Sequence, residues 1–257
     1  MSKLATKDQF VDLSDYGRPF GTFFAQKLKN TRFTPIHVTL LFGVCGLIGC
    51  IFILNRQYYW AGFFIILKSI IDAVDGELAR IRKTPSYTGR YLDSVFDLIL
   101  NFLLLSAICY VSQTNVWIML LAFFGIQLQG TLYNYYYVIL RNKSIGGDST
   151  SKIFENKSPK ALPGETQKSV DILFKIYTIV YGPFDSIIYA LDQDAFRVKT
   201  FPNWFMTMTS VFGLGFQLLI IALMLALNWI EFIAPFFILF TLYIFLLIGI
   251  RKLIFKP

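Results

Sequence analysis

The sequence has few of the residues that build soft-metal sites and disulfide frameworks. It contains one histidine and three cysteines in 257 residues, and each cysteine lies in an apolar stretch. Three cysteines in such places predict neither a disulfide framework nor a metal site. The single histidine, His37, has no histidine, cysteine or carboxylate patterned around it, so we interpret it as a residue at a helix start rather than a ligand.

Charged residues are scarce as well. They make up 16% of the chain, whereas hydrophobic residues make up 55% and aromatic residues 18%. This composition excludes an ordinary soluble domain and predicts an all-α integral membrane protein. A net charge of +8 would suggest nucleic acid in a soluble protein, but here the basic residues flank apolar runs. We therefore expect membrane lipids as partners and no nucleic acid.

Apolar runs of about 20 residues, the length that crosses ~30 Å of hydrocarbon, predict a six-transmembrane-helix bundle. Residues 1–33 are too polar to span and lack the apolar region of a signal peptide. They mix phenylalanine with lysine, which predicts an N-terminal interfacial amphipathic helix. The six spans are expected at 36–54, 58–81, 91–111, 116–140, 204–227 and 230–250.

The stretch 141–200 is expected to form a cytoplasmic loop and an interfacial helix. Its first part, 141–168, is polar and contains glycine and proline, which predicts a loop. Residues 170–191 are interrupted by Gly182 and Pro183, so we predict a broken interfacial helix rather than a span. No internal repeat divides the chain, and we expect one membrane-embedded domain. It covers 1–257, with spans 1 to 4 in 36–140 and spans 5 and 6 in 204–250.

Charge asymmetry predicts the orientation of these spans, because lysine and arginine collect on the cytoplasmic loops of membrane proteins. With the amino terminus inside, the outer turns hold a single basic residue, Arg56, and the other loops carry many. We therefore expect both termini, the loop at 141–168 and the junction of spans 2 and 3 to face the cytoplasm.

One stretch, 72–97, concentrates carboxylates at that junction. Asp72 and Asp75 share one helix face, and Asp93 and Asp97 share another. A turn that contains proline and glycine separates the two helices, so the two faces can meet across an antiparallel pair. We therefore expect four carboxylates to converge at a membrane boundary.

Four like charges crowded at such a boundary favour protonation or neutralisation by cations. With oxygen ligands only, the expected cations are hard divalent ions, Mg²⁺ or Mn²⁺. Mg²⁺ pairs carboxylates with substrate phosphates, so a phosphate-bearing substrate is implied. Two such ions would clamp a diphosphate and neutralise the charge that develops during transfer, while one carboxylate stays free as a base.

The full pattern is Asp72-x2-Asp75-Gly76-x2-Ala79-Arg80-x8-Gly89-x3-Asp93-x3-Asp97. It resembles the signature of the CDP-alcohol phosphotransferases, and every signature position matches. The resemblance implies a core of six transmembrane helices, usually paired as a homodimer. It also implies an enzyme that transfers a substituted phosphate group from a CDP-alcohol to a hydroxyl group and releases CMP.

The resemblance assigns roles to the four aspartates. Asp72, Asp75 and Asp93 would be metal ligands. Asp97 would be the general base that deprotonates the acceptor hydroxyl, and it would also touch a metal. The atom attacked would be the β-phosphorus of the donor.

The resemblance also implies substrate-binding positions. Gly76 and Ala79 match positions where small residues admit the cytidine nucleotide, and Gly89 fits a tight helix start. Arg80 would bind the diphosphate or extend to the membrane edge beside a carboxylate, and both remain open. Thr39 matches the threonine of an element that precedes the first span in the family.

Three functions are open at this point. We favour phosphatidyl transfer from CDP-diacylglycerol to a small polar alcohol, because a compact six-span chain resembles those enzymes most. The alternative within the family is an aminoalcohol phosphotransferase that joins CDP-choline or CDP-ethanolamine to diacylglycerol. An ion-coupled transporter is the alternative outside it, but a transporter should show repeated halves around midplane charges, and this cluster occurs once, at one face.

The acceptor alcohol is not specified by the signature, and inositol phosphate, glycerol phosphate and serine are all open. Arg90, Arg141 and Lys143 would suit a phosphorylated acceptor but equally fit the positive-inside pattern. Lys68, one turn before Asp72, is predicted to pair with that carboxylate or to reach a lipid head group. An aromatic row near the inner end of span 4 is interpreted as an interfacial belt rather than an acceptor pocket: Tyr133, Tyr135, Tyr136 and Tyr137.

Overall fold

The computed structural model of the chain describes residues 4–5, 8–145, 150–151, 153 and 155–255. Within these residues the regular structure is helical, which confirms the all-α prediction. In chain order the α-helices are α1 (Arg18–Leu28), α2 (Pro35–Leu54), α3 (Tyr58–Arg82), α4 (Tyr87–Ser112), α5 (Val116–Ile145), α6 (Gln167–Leu191), α7 (Asn203–Thr209), α8 (Leu214–Ala226), α9 (Ile233–Thr241) and α10 (Tyr243–Ile254).

Four helical stretches are long and apolar enough to cross a membrane: Pro35–Leu54, Tyr87–Ser112, Val116–Ser144 and Ile230–Ile254. A fifth candidate is a bent pair, in which Asn203–Phe212 meets Leu214–Ala226 at 52°. Helix α3 is 25 residues long but carries Lys68 and the first two aspartates, which lower its apolar content. The prediction of a multi-pass membrane protein is confirmed.

Local sequence explains how the first helices begin and end. Thr34 caps α2, since its hydroxyl accepts a hydrogen bond from the His37 backbone N–H (3.4 Å) and His37 Nδ1 accepts one from the Thr34 N–H (3.0 Å). His37 therefore closes a capping box. Helix α3 ends at Lys83 in the left-handed region (φ 53°), and Ser86 caps α4. The α3–α4 turn is consequently short and fixed at both sides.

Two large apolar clusters, together with a small one between α1, α2 and α3, hold the bundle together. One lies at the end where α2 meets α3, and Ile53, Ile65, Leu105 and Phe237 are among its fully buried members. The other packs α5 against α6, α7 and α10 towards the opposite end, where α3 turns into α4. We call this opposite end the signature end. The polar cavity described below opens between the helices there.

Residues upstream of α1 fold back onto the bundle, so the predicted helix over 1–33 is wrong in extent. Pro19 in the first turn sets the helix start, and α1 covers only Arg18–Leu28. Before it, the Leu13 N–H donates to Ser210 Oγ at 3.0 Å. The Ser14 carbonyl lies 2.0 Å from where a Cβ on Gly215 would stand, so only glycine admits this segment.

Helix α6 is continuous through Pro183, and the predicted break at Gly182 and Pro183 is wrong. The Ser186 hydroxyl donates to the Gly182 carbonyl at 2.7 Å, next to the proline. The Tyr181 hydroxyl ties the helix to the Ser94 carbonyl of α4 at 2.9 Å. These contacts hold the helix close to Pro183, which has no backbone N–H to donate.

Both ends of α6 are anchored at the signature end. Just before its first residue, Glu165 accepts a hydrogen bond from Ser86, the cap of α4. After its last residue, the buried Asp192 accepts hydrogen bonds from Tyr136 Oη and Arg251 Nε, both at 2.7 Å. Arg251 lies in the last turn of α10, which also ends there.

The predicted loop at 141–168 begins later than expected, because α5 continues to Ile145. Residues 146–149, 152 and 154 lie outside the described residues. The described part at 155–166 packs on the first turn of α4. Glu155 pairs with Arg90 at 2.6 Å and accepts a hydrogen bond from Tyr91 Oη at 2.9 Å.

Candidate active site

The α3–α4 hairpin brings three of the four predicted aspartates together. One carboxylate oxygen from each of Asp72, Asp75 and Asp93 lies within 4.8 Å of the others. Asp72 and Asp75 come from adjacent turns of α3, and Asp93 faces them from the second turn of α4. The predicted meeting of two acidic helix faces is therefore observed for this triad.

The triad has the chemistry of a hard-cation site. Among the described residues, none of its carboxylates pairs with a lysine or arginine, and Asp93 Oδ1 is buried without a hydrogen-bond partner. Asp75 Oδ2 accepts a hydrogen bond from the Thr39 hydroxyl at 2.5 Å. Three converging carboxylates with one orphaned oxygen fit a divalent ion that prefers oxygen ligands.

Asp97 is not one of the three carboxylates that lie within 4.8 Å of one another, but it is close enough for its charge to act on Asp75 and Asp93. The Lys68 ammonium binds Asp97 Oδ1, rather than forming the predicted pair with Asp72. Both partners are buried, and Lys68 Nζ also lies 5.0 Å from the ring centre of Phe42. Lys68 thus supplies a positive charge to the fourth carboxylate directly.

A cavity of about 1440 Å³ opens beside the triad. Seven of the eight signature residues line it, and the exception is Asp97, which lies one turn deeper on α4. Gly76 and Ala79 form part of the wall next to the triad. This volume is larger than the roughly 300–1,000 Å³ of typical ligand pockets, so a nucleotide and a second substrate can share the cavity.

Arg80 faces the cavity but already has a carboxylate partner that the sequence analysis missed. Its guanidinium donates to Glu77 Oε1 at 2.7 Å, and Arg18 Nε lies 3.7 Å from the same oxygen. Glu77 is 2% exposed. An acidic residue three positions before Arg80 on a helix was the available signal.

The first turn of α4 is held by residues far away in the chain. The Gly89 N–H donates to Ser86 Oγ at 2.8 Å, and Ser86 in turn donates to Glu165 Oε1 at 2.7 Å. A Cβ on Gly89 would lie 3.2 Å from Ser86 Oγ, which supports the predicted tight helix start. Burial raises the pKa of Glu165, but hydrogen bonds from Ser86, Thr88 and Leu162 outweigh it and hold the pKa below its usual value.

The opposite wall of the cavity comes from α5, α6 and the segment before α1. The interpretation of the tyrosine row as a lipid-facing belt is wrong, because Tyr135 and Tyr136 are buried. Their hydroxyls bind the carbonyl and the carboxylate of Asp192, and Tyr133 donates to Asp12 Oδ2 at 2.5 Å. These tyrosines fix the shape of the wall.

Comparison with known proteins agrees with this geometry. The model of the family described as CDP-alcohol phosphatidyltransferase matches residues 32–162, which include the triad and all of α5. The chain belongs to this family. It is also 30% identical over 128 residues to the CDP-diacylglycerol--serine O-phosphatidyltransferase of Saccharomyces cerevisiae. That match covers 46% of this chain and 46% of the yeast protein, so the chain spans about half the length of its relative.

We expect Asp72→Asn or Asp93→Asn to weaken Mn²⁺ binding by at least ~10- to 100-fold. Loss of a residue that only supports a metal ligand costs about that much, and each of these changes would remove a direct ligand. The metal-free protein should not melt at a lower temperature, since each change removes one of several crowded negative charges. Calorimetric titration with Mn²⁺ and thermal melting in detergent measure both effects. Asp194→Asn, an exposed aspartate that pairs with Arg197, is the control. Unchanged Mn²⁺ affinity in both triad variants would refute the metal assignment.

Proposed function

We propose that this protein transfers a phosphatidyl group from CDP-diacylglycerol to the hydroxyl group of a small polar alcohol and releases CMP. The observation that carries the proposal is the triad of Asp72, Asp75 and Asp93 on the wall of a large cavity, in a chain of this family. The yeast relative is named for CDP-diacylglycerol and serine, so serine is the first acceptor to test.

The cofactors would be Mg²⁺ or Mn²⁺, two ions in number as in two-metal sites generally. Asp72, Asp75 and Asp93 would hold them, with Asp97 next along α4. Bound there, they would neutralise the donor diphosphate and the charge that develops on it during transfer. The orphaned oxygen of Asp93 and the absence of a basic partner for the triad, among the described residues, support this assignment.

The transfer itself forms one bond and breaks one. The acceptor hydroxyl oxygen bonds to the β-phosphorus of the donor, the bond from that phosphorus to the bridging oxygen breaks, and CMP leaves with the electron pair. We assign Asp97 as the base that takes the hydroxyl proton. Lys68 engages Oδ1 of that carboxylate, and among the described residues Oδ2 accepts no hydrogen bond, so Oδ2 is the proton acceptor in this proposal.

The remaining signature residues and Thr39 are assigned to substrate binding. Gly76 and Ala79 would let the nucleotide approach the cavity wall, and Gly89 would keep the first turn of α4 close to it. Arg80 lines the same wall and would meet the diphosphate while Glu77 fixes its position. Thr39 would orient Asp75 through their hydrogen bond.

The test is CMP release by the purified protein with Mn²⁺ or Mg²⁺. CDP-diacylglycerol with L-serine, inositol, glycerol 3-phosphate or inositol phosphate should release CMP with at least one acceptor, and chelation of the metal should stop the reaction. CDP-choline or CDP-ethanolamine with diacylglycerol tests the aminoalcohol alternative. Release only from those two donors would replace our proposal, and no metal-dependent release from any pair would refute enzyme function of this class.

We expect Asp97→Asn to separate chemistry from binding. The amide cannot take a proton, so turnover should fall by at least ~10²-fold, the low end for loss of a positioned base. The KM for CDP-diacylglycerol should stay within about tenfold of the wild type, because the triad is intact. If the variant instead loses Mn²⁺ affinity as Asp72→Asn does, Asp97 is chiefly a metal ligand and the base must be sought elsewhere.

For the membrane arrangement we propose six spans: α2, α3, α4, α5, the α7–α8 pair and the α9–α10 pair. The signature end would face the cytoplasm, with both termini, and α6 would not cross, since both its ends are anchored there. Helix α1 would lie at the interface, where its phenylalanines are exposed and Lys27 is near. A single domain and a homodimer stay predictions, and the particle mass in detergent tests the latter.

Single cysteines in a cysteine-free background test this orientation. In vesicles of known sidedness, a membrane-impermeant maleimide should react with Lys160→Cys only from the cytoplasmic side. Arg56→Cys, in the turn between α2 and α3, is the matched control and should react only from the other side. Labelling of both from the same side would refute the proposed topology.

A further inference from the structure

A single carboxylate outside the signature, Glu165, joins the start of α4 to the segment that precedes α6. Its Oε1 accepts hydrogen bonds from the Ser86 hydroxyl at 2.7 Å and from the Thr88 N–H at 2.6 Å. Its Oε2 accepts a third from the Leu162 N–H at 3.1 Å. Glu165 is followed directly by Thr166, which caps α6. The carboxylate therefore ties the beginnings of two helices to one turn.

The turn at 162–165 directs this carboxylate towards α4. The Glu165 N–H donates to the Leu162 carbonyl at 3.0 Å, while the Leu162 N–H donates back to the Glu165 side chain. Gly164 has φ 92°, a conformation that glycine adopts readily and other residues rarely do. Burial acts to raise the pKa of Glu165, yet its hydrogen bonds hold it below the usual value, so the carboxylate is ionised at neutral pH. Hydrogen bonds to an ionised acceptor are the stronger kind.

The helix turn that Glu165 holds is part of the cavity wall. Ser86, Gly89 and Arg90 line the cavity, and Asp93 of the triad lies one turn beyond Gly89. The Gly89 N–H donates to Ser86 Oγ at 2.8 Å, so the hydroxyl that donates to Glu165 also closes this turn. A change at Glu165 would thus reach the wall that we assign to the donor without altering any signature residue.

We infer that Glu165 is a positioning residue for the donor: it fixes the Ser86 hydroxyl and the Thr88 N–H, so that the first turn of α4 keeps its place in the cavity wall. Glu165 lies outside the signature and outside residues 32–162, which the family model matches. The inference rests on the proposed function and deepens it, because it makes the segment before α6 a contributor to the binding of CDP-diacylglycerol.

The test compares Glu165→Ala, Glu165→Gln and Asp171→Ala in the CMP release assay. Asp171 is the matched control, since its carboxylate also accepts two side-chain hydrogen bonds, from Ser158 at 2.6 Å and from Gln167 at 2.8 Å. These bonds connect the segment before α6 with α6 itself rather than with α4. Thermal melting in detergent establishes that each variant is folded.

We expect Glu165→Ala to raise the KM for CDP-diacylglycerol about tenfold, the equivalent of one net hydrogen bond, with kcat and Mn²⁺ affinity within about threefold of wild type. Metal binding should survive because the triad lies beyond the turn that loosens. Glu165→Gln keeps a carbonyl oxygen that can accept and should fall between, and Asp171→Ala should match wild type.

A double-mutant cycle with Ser86→Ala separates positioning from a general loss of stability. If Glu165 acts through the Ser86 hydroxyl, Glu165→Ala should raise the KM for CDP-diacylglycerol less in the Ser86→Ala background than in wild type. Two changes that weaken the fold independently would instead have additive effects.

The inference is overturned by an unchanged donor KM in Glu165→Ala, by an equal rise in Asp171→Ala, by additive effects in the cycle, or by lost Mn²⁺ affinity in place of a raised KM. If wild type releases no CMP with any acceptor, the proposed function fails, and the positioning role is judged by calorimetric titration with CMP and Mn²⁺. CMP should then bind wild type and Asp171→Ala equally, and Glu165→Ala about tenfold more weakly. Equal affinities in all three, or no binding to wild type, would refute it.

Discussion

Four carboxylates stand near one edge of an apolar helix bundle, and each needs a positive partner to stay ionised where water is scarce. The structure meets this constraint in two ways. Lys68, buried on α3, binds Asp97 directly, whereas the triad of Asp72, Asp75 and Asp93 has no basic partner among the described residues. In our proposal the triad binds cations from solution, whereas the fourth carboxylate has a resident positive partner. That division would separate metal binding from proton transfer.

The geometry of this cluster depends on segments far from it in the chain. Glu165 and Glu155 hold the first turn of α4, which carries Gly89 and leads directly to Asp93. On the other side, Ser14 fills the space left by Gly213 and Gly215 and brings the amino-terminal segment to the cavity. These contacts are made by charged and hydrogen-bonding groups, so the polar groups around the cavity have partners at the open end of the bundle. The opposite end is packed with apolar side chains.

Local spacing explains why so much of the site could be predicted. The triad sits on one hairpin, so helix periodicity and a short turn were enough to bring Asp72, Asp75 and Asp93 together. What failed depended on contacts between distant elements. Helix spacing predicts a contact between Lys68 and Asp72, because the two residues are one turn apart on α3. The actual partner, Asp97, lies on α4, and only the packing of α3 against α4 brings it within reach of Lys68. Likewise, Pro183 predicted a break in α6. The hydrogen bond from Tyr181 to the Ser94 carbonyl, which holds the helix beside the proline, cannot be read from the sequence.

The two walls of the cavity explain why a perfect signature match leaves the acceptor open. All the signature residues belong to α3 and α4, and in our proposal they bind the donor and the cations and supply the base. The facing wall is built by α5 and α6, whose residues obey no spacing rule of the signature. Its charge balance can still be examined, since a cation already held by a carboxylate has little attraction left for a substrate. By that criterion Arg80 is occupied by Glu77 and Arg90 by Glu155, so neither is a strong candidate for binding an acceptor.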